Sequence, residues 1–519
     1  MAVTVDEPCD TETSSLVGGP SRMNDRSIHP EGHVRPTPTP MPTTTAGPWL
    51  RMGRWLFALV AILALTACAS PWRKPDLRRL YLTSQNAVDQ PPVILIPGIM
   101  GSRLFDATGH ERWVGSLGKT YFSDYRDLAL TIDPETLQPT TDFQAIGLTD
   151  EVSGRDYYAS IVRVLVDAGG YQIGTPGTPA VSGRRYLYQF AYDWRLDNVE
   201  SARRLDALIE QIRIDHARPD LKVDIVAHSM GGLIARYYLR YGTSDVLDGN
   251  DFPLNYHGGS RVRRIALLGT PNLGSVGSLH AFIVGRRVAL GRVAPEVLAT
   301  FPSMYQLFPH PLHDWIVSAE GKVLSRDLFD VELWRRFEWS IFDPRRRARV
   351  LAEHPDPSEG ARHLETLERY FGKHIERGRR FVWSLTVPID RAPWSLMTFG
   401  GDCDLTPARV LVEDIDGESR VRLDPRDIDN PLPGVDYDWL MLEPGDGTVT
   451  KASLLARDTL DPFVPRHRYI AFPVAGSMFL CERHDRLSAN ISFQDNLLQF
   501  LLNRDPAIGL TPTAGAGLH

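Results

Sequence analysis

The chain has 519 residues, 43% of them hydrophobic and 23% charged, with a formal net charge of −7. That is the make-up of an ordinary globular protein, long enough for one large domain with insertions or for two domains, and its acidic balance argues against a nucleic-acid partner. Four cysteines, Cys9, Cys68, Cys403 and Cys481, are too few for a disulfide scaffold and lack the short paired spacing of a zinc site, so neither a metal nor a cofactor is implied.

Residues 1–51 are rich in Pro, Thr, Ser and Gly with almost no apolar periodicity, which predicts disorder, since too little surface could be buried to offset the entropy of ordering. Residues 52–68 carry a basic start and then an apolar run of about a dozen residues, short of the roughly 20 that span a membrane and suited to a secretory signal. The run ends in Leu65-Thr66-Ala67-Cys68, which resembles the lipobox of bacterial lipoproteins, where the cysteine is lipidated and becomes the mature N-terminus. The resemblance implies an exported protein anchored by lipid on Cys68 to a membrane of the bacterial cell envelope. A plain signal peptide or a single anchor helix is the alternative. On the lipobox reading Met52 is a more natural start than Met1, and the first 51 residues are an over-extended beginning. Residues 69–90 read as a polar tether.

Residues 91–102, Pro-Pro-Val-Ile-Leu-Ile-Pro-Gly-Ile-Met-Gly-Ser, predict a buried strand running into a glycine loop. A second core strand is expected over 187–192, with Asp193, Trp194 and Arg195 at its exit; an Asp–Arg pair in that position is more often a loop clamp than a chemical group. Leu205, Leu208, Ile209 and Ile212 have helical spacing, and this helix supplies the crossover that lets the next strand lie parallel. In the stretch 221–241, Val223, Ile225 and Val226 lead into Ala227-His228-Ser229-Met230-Gly231-Gly232, after which Leu233 pairs with Tyr237 and Ile234 with Tyr238 at helical spacing. Strand, sharp turn and helix around a serine make the G-x-S-x-G nucleophile elbow of α/β-hydrolases, with Ala227 in the first glycine position. The turn lifts the Ser229 Oγ clear of the sheet on a strained backbone and needs small neighbours. In such a site the oxyanion is held by two backbone N–H groups, one from the residue after the nucleophile, Met230, and one from the loop after an early strand, Ile99. His228 points to the other side of the strand end and reads as a wall residue rather than the base.

A further buried strand begins at Arg264 and ends in Gly269-Thr270-Pro271-Asn272-Leu273-Gly274-Ser275. Residues 276–380 then break the alternation of strand and helix. They include a proline-bracketed segment, Pro302-Ser303-Met304-Tyr305-Gln306-Leu307-Phe308-Pro309, and a charged stretch interrupted by Pro355 and Pro357. Together with Pro97-Gly98-Ile99-Met100-Gly101-Ser102 and Tyr192-Asp193-Trp194-Arg195-Leu196, these motifs resemble the lecithin:cholesterol acyltransferase family, which includes lysosomal phospholipases and phospholipid:diacylglycerol acyltransferases. The resemblance runs over about 91–502. It implies an α/β-hydrolase fold: a mostly parallel central sheet with helices on both faces, a core in two parts (91–275 and 381–502), and an inserted cap (276–380). Leu279, Phe282, Ile283, Val284, Met304, Leu307 and Phe308 either line an acyl channel, with Met304, Leu307 and Phe308 the candidate substrate-binding residues, or form the cap's own core.

The chain is expected to return to the core with strands over 381–387 and 396–399. An Asp416-Gly417 turn between alternating runs predicts a surface hairpin over 410–423. Next come Gly445-Asp446-Gly447-Thr448-Val449, an expected strand over 469–473, His484, an amphipathic terminal helix with Phe493, Leu497, Leu498 and Leu501 on one side, and a flexible tail over 503–519. A serine nucleophile needs a base to take its proton and a carboxylate to orient that base. Ser229, Asp446 and His484 stand in the chain order Ser, Asp, His of this fold, and the Gly-Asp-Gly-Thr-Val motif and the histidine before the last helix resemble the family's acid and base. Glu443 is the rival acid. Cys403 and Cys481, the two cysteines left after Cys68 in an exported chain, are expected to pair or to stay buried. The expected activity is that of a serine lipid acyl hydrolase or O-acyltransferase acting on a lipid or ester through an acyl-enzyme. A carboxylesterase for smaller soluble esters and a non-catalytic surface lipoprotein on the same scaffold are the alternatives.

Overall fold

The computed structural model describes residues 74–503, apart from 85–89, 117, 120–122, 153–154, 289, 390–391, 458–459 and 461–473. The expectations for 1–51, for the signal 52–68 with Cys68, for a strand over 469–473 and for the tail beyond 503 lie outside the described residues.

The sheet is built from β1 (Val93–Ile96), β2 (Tyr171–Ile173), β3 (Arg185–Gln189), β4 (Val223–His228), β5 (Val262–Leu268), β6 (Ser395–Gly401) and β7 (Gly476–Leu480). Their spatial order is β7-β6-β5-β4-β1-β3-β2, and every neighbouring pair is parallel. All four residues of β1 are buried, which a strand achieves only when both faces of its sheet are covered. Ile94, Ile96, Ile225 and Ala227 enter one apolar cluster, and Val93, Leu95 and Val226 enter another. Each such side chain contributes about 1.5–3 kcal/mol on full burial.

The helices that cover the sheet and build the cap are α1 (Ala159–Asp167), α2 (Asn198–Asp215), α3 (Met230–Tyr241), α4 (Val276–Val284), α5 (Pro344–Ala352), α6 (Pro357–Ser384) and α7 (Ile491–Leu502). Ile161 and Leu165 of α1 join Phe493, Leu497 and Leu498 of α7 in one cluster, while Leu205 and Ile209 of α2 join Leu233 and Ile234 of α3 in the other. The cap centres on Phe282 of α4, whose ring lies 4.8 Å from Tyr305, 5.1 Å from Phe308 and 5.6 Å from Trp334. Aromatic pairs at such distances add about 0.5–1.5 kcal/mol each beyond their buried area.

Three expectations are corrected. Residues 381–384 are not a returning strand but the last turn of α6, where Phe381 stacks on Tyr237 at 5.7 Å. Leu364, Leu367, Phe371, Ile375 and Phe381 form one buried helical stripe, and the short apolar run at its end has no period of its own to distinguish helix from strand. Pro357 opens α6 behind the N-cap Asp356, where its missing N–H costs nothing. The hairpin (Val410–Ile415 with Glu418–Arg422) does turn at Asp416 and Gly417, both with φ > 0, but it is no surface excursion. Its first strand pairs in parallel with Ile316–Ser318 of the cap, so a segment beyond 380 contributes to the cap. Part of the expected tether is also docked. Asp76 caps a short helix (Leu77–Leu80), Leu77 and Tyr81 are buried, and the Tyr81 hydroxyl donates to the Asp495 carboxylate at 2.7 Å.

Candidate active site

Parallel strands deliver their following loops to one edge of the sheet, and this is where the site is assembled. Ser229 follows β4 with φ 52° and ψ −125°, a strained conformation for an L-residue, and its N–H donates to Leu268 O at 2.8 Å. The turn leaves no room for larger neighbours. A Cβ on Gly98 would stand 2.8 Å from the Ser229 Cβ, and one on Gly231 would stand 2.5 Å from Pro97 O. Ala227 is accommodated because it is still a strand residue, between Ile96 of β1 and Leu267 of β5.

His484 leaves the sheet just after β7, at the start of a short helical turn (His484–Ala489). Its Nε2 lies 3.1 Å from the Ser229 Oγ and its Nδ1 lies 2.8 Å from the Asp446 Oδ2. With Nδ1–H donating to the carboxylate, the bare Nε2 accepts from the serine hydroxyl. Asp446 is 2% exposed, and its other oxygen accepts from the N–H groups of Thr448 at 3.0 Å and Val449 at 2.7 Å. The main chain adds a second tie, His484 N–H to Asp446 O at 2.9 Å. Gly447 has φ 85°, the backbone excursion that this tight acid loop requires. Glu443 faces away and accepts from Arg409 Nη2 at 3.2 Å. Cys403 and Cys481 form a disulfide with Cα atoms 5.0 Å apart, which ties the exit of β6 to the loop that carries His484.

The N–H groups of Ile99 and Met230 donate to no protein group among the described residues. Ile99 lines the cavity over Ser229, and Met230 opens α3. His228 is held elsewhere. Its Nδ1 contacts the Tyr158 hydroxyl at 2.8 Å, and its ring lies 4.8 Å from that of His484. Burial, then the neighbouring His484, pulls its pKa down to about 3.

A cavity of about 570 Å³ opens on Ser229, His484 and Asp446. Of the three candidate acyl-binding residues, Leu307 lines it. Met304 and Phe308 do not: both are buried in the cap core, Phe308 stacked on Trp334 at 5.6 Å, because the helical turn there points these side chains into the aromatic cluster. The cavity wall also includes Trp113, Tyr157, Tyr158, Arg286, Arg287 and Arg483, which no motif in the sequence marks. Asp193, Trp194 and Arg195 lie outside it. Asp193 and Arg195 are a buried clamp joined at 2.7 and 2.9 Å, with Arg195 also donating to Leu128 O, and Trp194 Nε1 donates to Ser102 O. Among the described residues no group of three or more His, Cys, Asp or Glu is arranged for a metal ion, and no helix is long and apolar enough to cross a membrane.

Residues 143–339 match the family model described as lecithin:cholesterol acyltransferase. The matched segment contains Ser229, the Asp193–Arg195 clamp and the first part of the cap; Ile99, Asp446 and His484 lie outside it. The chain is also 28% identical over 149 residues to an uncharacterized protein of Saccharomyces cerevisiae, which covers 28% of this chain and 20% of that protein. It thus spans about a fifth of the length of that curated relative. Among solved structures, a chain of the Tle4–Tli4 complex is similar at 16% identity over 80% of this chain and 98% of its own, with a TM-score of 0.48. Staphylococcus hyicus lipase is similar at 13% identity, 83% and 96% coverage and a TM-score of 0.33. EstA from Clostridium botulinum is similar at 12% identity, 84% and 93% coverage and a TM-score of 0.33.

Proposed function

We propose that the protein is a serine-dependent lipid acyl hydrolase or O-acyltransferase, with Ser229 as nucleophile, His484 as base and then acid, and Asp446 as the orienting carboxylate. The observation that carries this reading is the unbroken hydrogen-bonded series from Ser229 Oγ through both nitrogens of His484 to Asp446, at 3.1 and 2.8 Å, facing a cavity. His484 takes the serine proton as Oγ attacks the ester carbonyl carbon. The carbonyl π electrons move to oxygen, and the Ile99 and Met230 N–H groups stabilise the charge that develops there. Collapse of the tetrahedral species breaks the bond to the leaving alcohol, which receives its proton from His484. Water or a lipid alcohol then attacks the acyl-enzyme by the same steps in reverse. The cavity's apolar wall, Ile99, Met100, Trp113, Val288, Leu307 and Val449, suits an acyl chain.

A fluorophosphonate probe should label the protein at Ser229, and Ser229→Ala should abolish the labelling. Turnover of p-nitrophenyl esters should rise with acyl length; a maximum at acetate would assign the site to small soluble esters, and absence of both labelling and turnover would leave a non-catalytic scaffold. Adding a long-chain alcohol separates transfer, which yields a new ester, from hydrolysis, which yields only free acid.

We further propose that the chain is lipidated on Cys68 and anchored to a bacterial envelope membrane, on the sequence Leu65-Thr66-Ala67-Cys68 after its apolar run. More than one acyl chain is needed for a stable anchor. Cys68→Ala should therefore move the protein to the soluble fraction, and its retention in membranes would exclude the anchor.

A further inference from the structure

The cavity over Ser229 is lined by both apolar and cationic side chains. Arg286, Arg287 and Arg483 line it, against two carboxylates, Asp446 and Asp485. Asp446 is already committed to His484, Thr448 and Val449, and Asp485 lies 3.9 Å from Arg483. Arg286 and Arg287 sit on one strand (Arg286–Val288) of a two-stranded hairpin whose other strand is Gly291–Val293. Arg287 pairs directly with Arg292 across that hairpin. Among the described residues no carboxylate makes an ion pair with Arg286, Arg287 or Arg292, and Arg286 and Arg287 are exposed residues that line the cavity.

This is an unfavourable way to spend charge. Like charges placed opposite each other in a sheet repel, and in a chain of net charge −7 acidic partners are not scarce. Arg292 Nη1 donates to Val284 O at 3.2 Å, but no carboxylate offsets the paired charges, and a local rule broken in this way on the wall of a site points to a compensating anion that arrives with the ligand. Guanidinium forks match the oxygens of phosphate in two parallel charge-assisted hydrogen bonds.

We propose that the hairpin bearing Arg286 and Arg287 is an anion subsite that holds the phosphate of the lipid head group and selects net-negative glycerophospholipids over zwitterionic and uncharged ones. The proposal rests on the reading of the Ser229 cavity as a lipid-ester site. The acyl chain lies on the apolar wall, the ester at Ser229 and the phosphate at the arginines.

The test separates recognition from turnover. The intact Ser229→Ala protein is titrated calorimetrically with dihexanoyl phosphatidic acid, dihexanoyl phosphatidylcholine, dihexanoylglycerol and inorganic phosphate, all as monomers. Phosphatidic acid should bind at least about tenfold more tightly than phosphatidylcholine or dihexanoylglycerol, the least that one charge-assisted contact is worth, and the margin should shrink as salt is added. The margin should vanish in R286Q/R287Q and survive in part in R286K/R287K, which keeps the charge and loses the fork. Equal binding of the lipids, or a margin that persists in R286Q/R287Q, overturns the subsite. Inorganic phosphate binding as tightly as phosphatidic acid overturns the head-group assignment in favour of free phosphate. The salt dependence in the Arg-bearing protein reads the same interaction without relying on a variant that folds. Turnover of p-nitrophenyl esters by the unsubstituted protein is scored separately: esterase activity without lipid discrimination refutes the subsite alone, and discrimination without any esterase activity refutes the enzymatic reading alone.

Discussion

The Tyr158 hydroxyl lies 2.8 Å from His228 Nδ1 and, on its other side, 2.8 Å from the N–H of Gly98. The phenol oxygen accepts from the Gly98 N–H and its O–H donates to His228 Nδ1, so the neutral His228 ring carries its own proton on Nε2. One buried side chain thus links the loop that carries Ile99 to the residue before Ser229. With its pKa down at about 3, chiefly through burial, His228 stays neutral beside His484 and does not oppose a positive charge developing on that ring.

Tyr158→Phe should strand the Gly98 N–H and the His228 Nδ1, at a cost of about 1–3 kcal/mol for each buried group left unpaired. If the Ile99 N–H holds the oxyanion as proposed, its acceptor reaches full charge only in the transition state, and because Gly98 precedes Ile99, kcat should fall while KM stays close to its original value. Steady-state kinetics on a long-chain p-nitrophenyl ester, with urea denaturation alongside, provides the check. A raised KM at unchanged kcat would show that the link acts on binding instead.

The acid is tested by a pair of substitutions. Asp446→Asn removes the charge that stabilises the imidazolium and permits the wrong tautomer, a change worth about 10⁴ in rate in a serine protease triad. Glu443→Gln removes a charge that faces Arg409 and His313 rather than His484, and should cost little. With Ser229→Ala as the background rate, a dead Glu443 variant beside a healthy Asp446 variant would reverse the assignment.

Asp193 and Arg195 are 2% and 1% exposed, so this pair behaves as a buried unit. Asp193→Asn leaves a guanidinium without its charge partner and should cost about 3–5 kcal/mol of stability. Replacing both residues with apolar ones of similar volume should cost much less. Urea midpoints distinguish the two, and in the folded protein the single variant should retain the KM of the parent because neither residue lines the cavity.

Acid should destabilise the protein before its carboxylates titrate. Burial holds the pKa of His228 and of His374 down to about 3, below the ordinary histidine value of 6.5. As pH falls below 6.5 the unfolded chain takes up protons that the folded one refuses. Stability is therefore level above about pH 6.5 and drops between there and about pH 3, by up to about 1.4 kcal/mol per unit for each group. His374→Phe, which can still pack on the Tyr370 ring, should flatten that slope. A denaturation midpoint with the same pH dependence in parent and variant would assign the acid sensitivity to other groups.

The elbow was readable in the sequence because its determinants are local. A buried apolar strand, a serine among small residues and a helix with apolar pairs one turn apart all fall within 221–241, and each constrains the backbone at its own position. The same holds for β1, β5 and α7, whose runs are long or periodic enough to declare themselves. Phe381-Val382-Trp383 did not, because three apolar residues fit the end of a helix as well as a strand, and only the stripe running back through Phe371 decides between them.

Which side chains meet at the site is a different matter. The candidacy of Ser229, Asp446 and His484 followed from chain order and short motifs, but Asp446 and Glu443 differ in direction rather than in kind, and direction is set by Gly447 and by the Thr448 and Val449 amides around the carboxylate. Phe308 and Leu307 are adjacent in sequence, yet one is stacked on Trp334 and the other faces the cavity. Tyr158, Arg286 and Arg287 carry no motif and reach the site only because the loops from separate strands and the cap hairpin converge there. Local sequence determines elements through short-range sterics and periodicity. The convergence of residues hundreds of positions apart depends on how the cap and the sheet pack, and that packing exists only in the folded chain.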